Sequence, residues 1–208
     1  MAIIKHGTNA LSSVTAFPSA VPTGKPVLLS TATASSSSSI EFTSGIDSTY
    51  DIYKWEFNSI HPSSDGQLFQ FQGSINGGSS YGVTITSTFF RAHHNESDTE
   101  TILGYDGGLD LAQSSSYQSI TAGVGADNDQ CFNGYMYIFS PNSNVYVKHF
   151  IAKTVIDEGS NFMRDDYIAG YFNDGANDIN AIQFKFASGN IDAGTIKMYG
   201  ISAWVWLN

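Results

Sequence analysis

The sequence predicts an all-β protein, an antiparallel β-sandwich of jelly-roll type with an extended N-terminal arm, and three observations carry that reading. Within residues 40–60, Tyr53, Trp55 and Phe57 alternate with Lys54, Glu56 and Asn58. A period of two puts the aromatics on one face of a strand and mostly polar groups on the other. Antiparallel sheets with one buried and one wet face read this way, whereas central parallel strands read as unbroken apolar runs. Comparable alternation recurs in about nine or ten segments at hairpin spacing, with no convincing helical period. Finally, 14 Phe and 11 Tyr in 208 residues are enough to fill one sandwich core.

Taken in order, residues 1–25 hold Pro18 and Pro22 and little alternation, so neither helix nor central strand is expected there. The segment reads either as a frayed terminus or as an arm that packs on a neighbouring subunit, the latter because Ile3, Ile4, Val14, Phe17 and Val21 make it more apolar than a disordered segment usually is. Residues 26–208 read as the single β-domain. Its strands begin with residues 27–32 and, after a serine run at 35–39, with Ile40 and Phe42 ahead of the turn Gly45-Ile46-Asp47. Residues 61–66, with Pro62 and Asp65-Gly66, form a turn. Residues 67–90 read as a hairpin turning at Asn76-Gly77-Gly78, which tolerate positive φ. Residues 91–129 read as the least regular part and the first place to look for a site. Strands follow at 135–139 and 145–156 around the turn 140–144, then at Ile182, Phe184 and Phe186, and at Ile196 and Met198. The tail, Ser202-Ala203-Trp204-Val205-Trp206-Leu207-Asn208, is either one more core strand or a docking segment.

Charged residues make up only 13% of the chain, about half the usual share. Nine basic against 19 acidic side chains give a net charge of −10. That balance repels phosphate backbones and anionic bilayers, which argues against nucleic-acid and membrane partners. Cys131 is the single cysteine, so no intrachain disulfide forms. It reads as a buried small hydrophobe, and its isolation suits assembly in a reducing cytoplasm. The first residues lack the apolar stretch of a signal peptide and no segment reaches the length of a membrane span, so neither export by that route nor embedding is expected.

Three segments resemble a family of structural proteins from marine tailed bacteriophages. They are residues 38–51 (Ser-Ser-Ile-Glu-Phe-Thr-Ser-Gly-Ile-Asp-Ser-Thr-Tyr-Asp), Phe71-Gln72-Gly73-Ser74 with Thr88-Phe89-Phe90-Arg91-Ala92-His93, and residues 188–201 (Ser-Gly-Asn-Ile-Asp-Ala-Gly-Thr-Ile-Lys-Met-Tyr-Gly-Ile). The likeness spans about residues 26–201 and leaves out the arm and the tryptophan tail. It implies a virion component assembled in the host cytoplasm, in head decoration, collar or tail fibre, and it carries over no active-site residue.

Candidate sites divide by chemistry. His93-His94-Asn95-Glu96-Ser97-Asp98-Thr99-Glu100 is the densest set of metal-ligating types, yet adjacent histidines in an extended chain point to opposite faces and the spacing fits no standard site. Asp106-Gly107-Gly108-Leu109-Asp110, Asp127-Asn128-Asp129 and Asp174-Gly175-Ala176-Asn177-Asp178 could offer oxygens to Ca²⁺, but none completes an EF-hand loop and Asx turns use the same residues. No nucleophile and base, and no paired carboxylates at a defined separation, mark a catalytic centre. The sequence therefore predicts no catalytic residue, no metal and no cofactor.

Carbohydrate binding is the rival reading, with Tyr81, Tyr105, Tyr117 and Tyr167 near predicted loops as stacking rings and a host surface glycan as the ligand. Three wet, coplanar rings would favour it. The principal expectation is a non-enzymatic virion structural protein that self-associates, as a trimer by analogy with other viral jelly rolls, and docks on capsid, portal, collar or tail proteins. Ile3, Ile4, Phe17, Trp204 and Trp206 are the expected interface residues, because large apolar groups dominate interface energetics.

Overall fold

The computed structural model describes residues 25–159 and 162–202. These hold twelve strands and no helix: β1 (Val27–Thr33), β2 (Ile40–Phe42), β3 (Ile52–Pro62), β4 (Gln67–Ser74), β5 (Ile85–Asn95), β6 (Thr101–Tyr105), β7 (Gln118–Val124), β8 (Phe132–Phe139), β9 (Lys148–Glu158), β10 (Phe162–Phe172), β11 (Ala181–Phe186) and β12 (Ile191–Ile201). Every strand pairing is antiparallel. The expected arm and the tryptophan tail, with Ile3, Ile4, Phe17, Trp204 and Trp206, lie outside the described residues.

Eight strands form the sandwich in the order β1-β12-β3-β8 and β2-β11-β4-β7. The first strand lies beside the last and the second beside the last but one. One long antiparallel ribbon has thus been folded over on itself, which is the jelly-roll arrangement. Two further hairpins extend the first sheet beyond β8, in the order β9-β10-β5-β6. The result is a wide sheet of eight strands facing a narrow one of four. On one side, backbone bonds between Ser37 and Ile191 tie the β1–β2 connection to β12. On the other, β7 meets β9 at a single pair, Val124 and Glu158.

Alternation explains what fills the space between the sheets. Tyr53, Trp55 and Phe57 of β3 are all buried, as are Ile182, Phe184 and Phe186 opposite. Phe184 is the hub, its ring centroid lying 5.2 Å from Phe57, 6.0 Å from Phe69, 6.1 Å from both Phe42 and Trp55, and 6.4 Å from Phe71. Aromatic pairs at such separations add to the stabilisation that area burial supplies.

Side chains, not a strand ladder, hold β7 over the wide sheet. Thr154 Oγ1 donates to the Ile120 carbonyl at 2.7 Å, and the Ala122 N–H donates to Asp166 Oδ2 at 2.8 Å. Asp166 Oδ1 accepts from Arg164 Nε at 2.7 Å, and both residues are buried. Arg164 also faces Asp106 at 3.6 Å and Glu158 at 3.9 Å, while Arg91 pairs with Asp106 at 2.7 Å. A charged network therefore replaces apolar packing where the wide sheet outruns the narrow one.

Several sequence expectations need correction. Residues 67–90 are not a hairpin. The turn is real, with Gly77 and Gly78 at φ of 68° and 88°, but β4 pairs with β7 and β11 while β5 pairs with β6 and β10. Both edges of β4 are taken inside the narrow sheet, so the loop carries the chain across to the wide one. Residues 91–129 are more regular than expected, because Arg91 to Asn95 continue β5 and the polar run turns into β6. The strand after residues 140–144 starts at Lys148, leaving Val145 and Tyr146 exposed in the loop.

Candidate functional site

The feature that stands out is the outer face of the wide sheet. Register places Lys54, Tyr137, Ile151 and Ala169 in one row across β3, β8, β9 and β10, and Glu56, Tyr135, Lys153, Tyr167, Phe90 and Tyr105 in the next, continuing through β5 to β6. Strand alternation dictates this once the inward residues are fixed. A solvated face normally carries polar groups, but here Phe90, Ile151, Val155 and Met163 are exposed, with Tyr105 at 60% and Leu103 at 79%. Phe90 and Tyr167 stack on each other, centroids 5.0 Å apart and planes 2° from parallel. Together they form a ridge. Beside it two shallow hollows share Ile151 and Ala169, of ≈ 270 Å³ under Phe90 and Tyr135 and ≈ 310 Å³ towards His149 and Tyr171.

Four charges at the centre of this face neutralise one another in pairs. Lys54 pairs with Glu56 and sits 5.7–6.0 Å from the rings of Tyr135, Tyr137 and Tyr199. Burial alone would lower the Lys54 pKa, but the Glu56 hydrogen bond and the neighbouring phenols outweigh it and raise the value. The Lys54 hydrogen bond in turn lowers the Glu56 pKa. Lys153 lies 4.8 Å above the Tyr167 ring and 3.3 Å from Asp165. Its pKa is raised by Tyr167 first and Asp165 next.

The four tyrosines expected near loops divide between two faces. Tyr105 and Tyr167 flank Phe90 on the wide sheet, where Tyr105 donates to Asp110. Tyr117 lies on the narrow sheet, where it donates to Gln183, whose amide donates to Glu41. The Tyr81 hydroxyl is pushed up to about 12, by burial first and by Glu41 next. Phe90 and Tyr167 stack face to face instead of lying side by side as a flat platform.

The expected ligand clusters are dispersed or internally satisfied. His93 faces inward, 4.9 Å from the Phe162 ring and 3.3 Å from Glu100, while His94 faces outward, 3.0 Å from Asp98. Asp106 is held by Arg91 and accepts the Gly108 N–H. In the loop after β10, the buried Lys148 ammonium donates to the Gly175 carbonyl at 2.6 Å and stands near Asp174 and Asp178, supplying positive charge there. Among the described residues no group of three or more His, Cys, Asp or Glu could hold a metal ion. EDTA should accordingly shift the melting temperature by no more than ~2 °C. A fall of about 10 °C, restored by Ca²⁺, would show that one of these loops is a structural site.

Cys131 is half-buried, not buried as expected. It lines a hollow of ≈ 390 Å³ with His94, Glu96, Asp129, Asp157 and Met163. Burial raises the Asp157 pKa, and the negative charges of Asp129, Glu96 and Asp127 raise it further.

Sequence reasoning missed the aromatic face. The signal was present in residues 148–158, where Phe150, Ala152 and Ile156 point one way and Ile151 and Val155 the other. No known protein family, curated protein or solved structure matches the chain.

Proposed function

We propose that the chain is a non-enzymatic structural protein of a tailed-phage virion, in head decoration, collar or tail fibre, acting by self-association and by docking on a neighbouring virion protein. The exposed apolar face of the wide sheet is the observation that carries this reading. Contiguous apolar surface on a folded domain marks an interaction site, and the family resemblance of residues 26–201 supplies the setting. A particle assembled in the host cytoplasm gives such a face many identical neighbours. The second reading is a glycan-binding receptor module on the same particle, favoured by the open rings of Phe90 and Tyr105.

The direct test is quantitative mass spectrometry of density-purified particles of the phage that encodes the chain. The expected result is recovery at a fixed copy number per particle, unchanged by high salt. Absence from the particles overturns the proposal.

A further inference from the structure

We infer that the outer face of β8, β9, β10, β5 and β6 is where one copy of this chain seats against a second copy. This deepens the self-association reading by naming its surface. Three observations support it. The first is extent. With ~200 Å² for a large side chain, the exposed parts of Phe90, Leu103, Tyr105, Ile151, Val155 and Met163 amount to roughly 600 Å², before the partly exposed Tyr135, Tyr137 and Tyr167 are counted. That approaches the ~800 Å² each partner contributes to a standard specific interface, and lies at the top of the ~300–600 Å² patch found on monomers.

Charge is the second. The chain carries −10, so copies repel over most orientations. Within the strands from β3 to β6 the outward charged residues are Lys54 and Lys153 against Glu56, Asp157 and Asp165, two positive less three negative, a net −1. Four of these five are already paired, Lys54 with Glu56 and Lys153 with Asp165. Away from the acidic rim at the Cys131 hollow, where Glu96 and Asp129 join Asp157, the paired charges leave the centre of the face without a strong field, so a copy meets another there with little repulsion.

Shape is the third. The Phe90–Tyr167 ridge and the hollows over Ala169 lie on one surface, so a ridge on one copy has a hollow of matching chemistry on the next. Repeated contacts between identical chains use this kind of self-complementarity.

Light scattering of the full-length chain at micromolar concentration tests the inference, alongside Phe90→Thr/Ile151→Thr, which keeps strand propensity on exposed positions. The wild type should run at two or more times 22.4 kDa and the variant as a monomer with a cooperative melt. If the double variant fails to fold, Val155→Glu alone should raise the dissociation constant at least tenfold. An oligomer that both variants leave intact overturns the inference, and so does a monomeric wild type. In the latter case, exposure of the face on deleting residues 2–24 would identify the chain's own arm as its cover, and protection by an oligosaccharide panel would identify a sugar. Oligomers intact in the variants, with the chain present in particles, remove this surface alone. A chain absent from particles removes the virion reading and leaves the surface standing.

Discussion

Replacing Asp166 with alanine should cost about 3–5 kcal/mol, because it leaves the Arg164 guanidinium buried without its closest counter-ion. Arg164 Nη2 already lacks a hydrogen-bond partner, and Asp106 at 3.6 Å and Glu158 at 3.9 Å stand too far off to replace the 2.7 Å bond without rearrangement. The substitution also frees the Ala122 N–H, which has its acceptor in Asp166, and loosens β7 from the wide sheet. For a domain of this length the loss corresponds to a fall of about 6–20 °C in melting temperature. Replacing the pair together, Arg164→Met with Asp166→Leu, should cost less, since no charge is then left stranded and the remaining loss is that of the acceptor for the Ala122 N–H. A wild-type melt in Asp166→Ala would show that the network carries no net stabilisation.

The same residue sets a pH dependence. Burial pushes the Asp166 carboxyl from 3.8 up to about 6, against the opposing pull of Arg164 and the Ala122 N–H. The folded state thus binds this proton more tightly than the unfolded chain does. Between pH 3.8 and 6 the folded state holds more protons, so this group's contribution to stability falls as pH rises through that window and is flat above it. From pH 7 to pH 5 it should add on the order of 1 kcal/mol. Denaturant melts of wild type and Asp166→Asn isolate it, since other carboxylates cancel in the difference. A difference that does not change over that range would refute the assignment.

Phe184→Ala is the second large effect, expected at about 3–5 kcal/mol. Its ring touches five others drawn from both sheets, so truncation opens a cavity that cannot collapse from one side. Phe184→Leu keeps most of the volume and should cost below ~2 kcal/mol. Urea unfolding distinguishes the two, and equal losses would mean that the cavity has closed by rearrangement.

The aromatic strands were legible because their inward residues are apolar and their neighbours polar. The rows of Tyr53, Trp55 and Phe57 and of Ile182, Phe184 and Phe186 are read directly from alternation. β10 was not, since its inward positions include Arg164 and Asp166, and a charged interior removes the contrast on which periodicity depends. The false hairpin at 67–90 has a different origin. Asn76-Gly77-Gly78 specifies a turn locally, but which strands pair is decided by partners more than 40 residues away, Gln118 for Phe71 and Tyr167 for Phe90. The candidate surface was hidden for a third reason. Apolar residues of both parities in residues 148–158 look like ordinary core, and only the register reveals that one parity faces away from the narrow sheet.

The jelly-roll wrapping also bears on how the chain acquires its structure during synthesis. β1 pairs with β12 and β2 with β11, so among the described residues the early strands wait for the late ones. At ~5–20 residues per second, that wait is about 10–40 s. Throughout it, the unpaired edges of the early strands must avoid neighbouring nascent chains. Long-range pairing of this kind folds slowly, and closure cannot begin before β12 has been made. A C-terminal truncation that removes β12 should leave β1 and one edge of β3 without partners, giving insoluble material in place of a smaller folded domain.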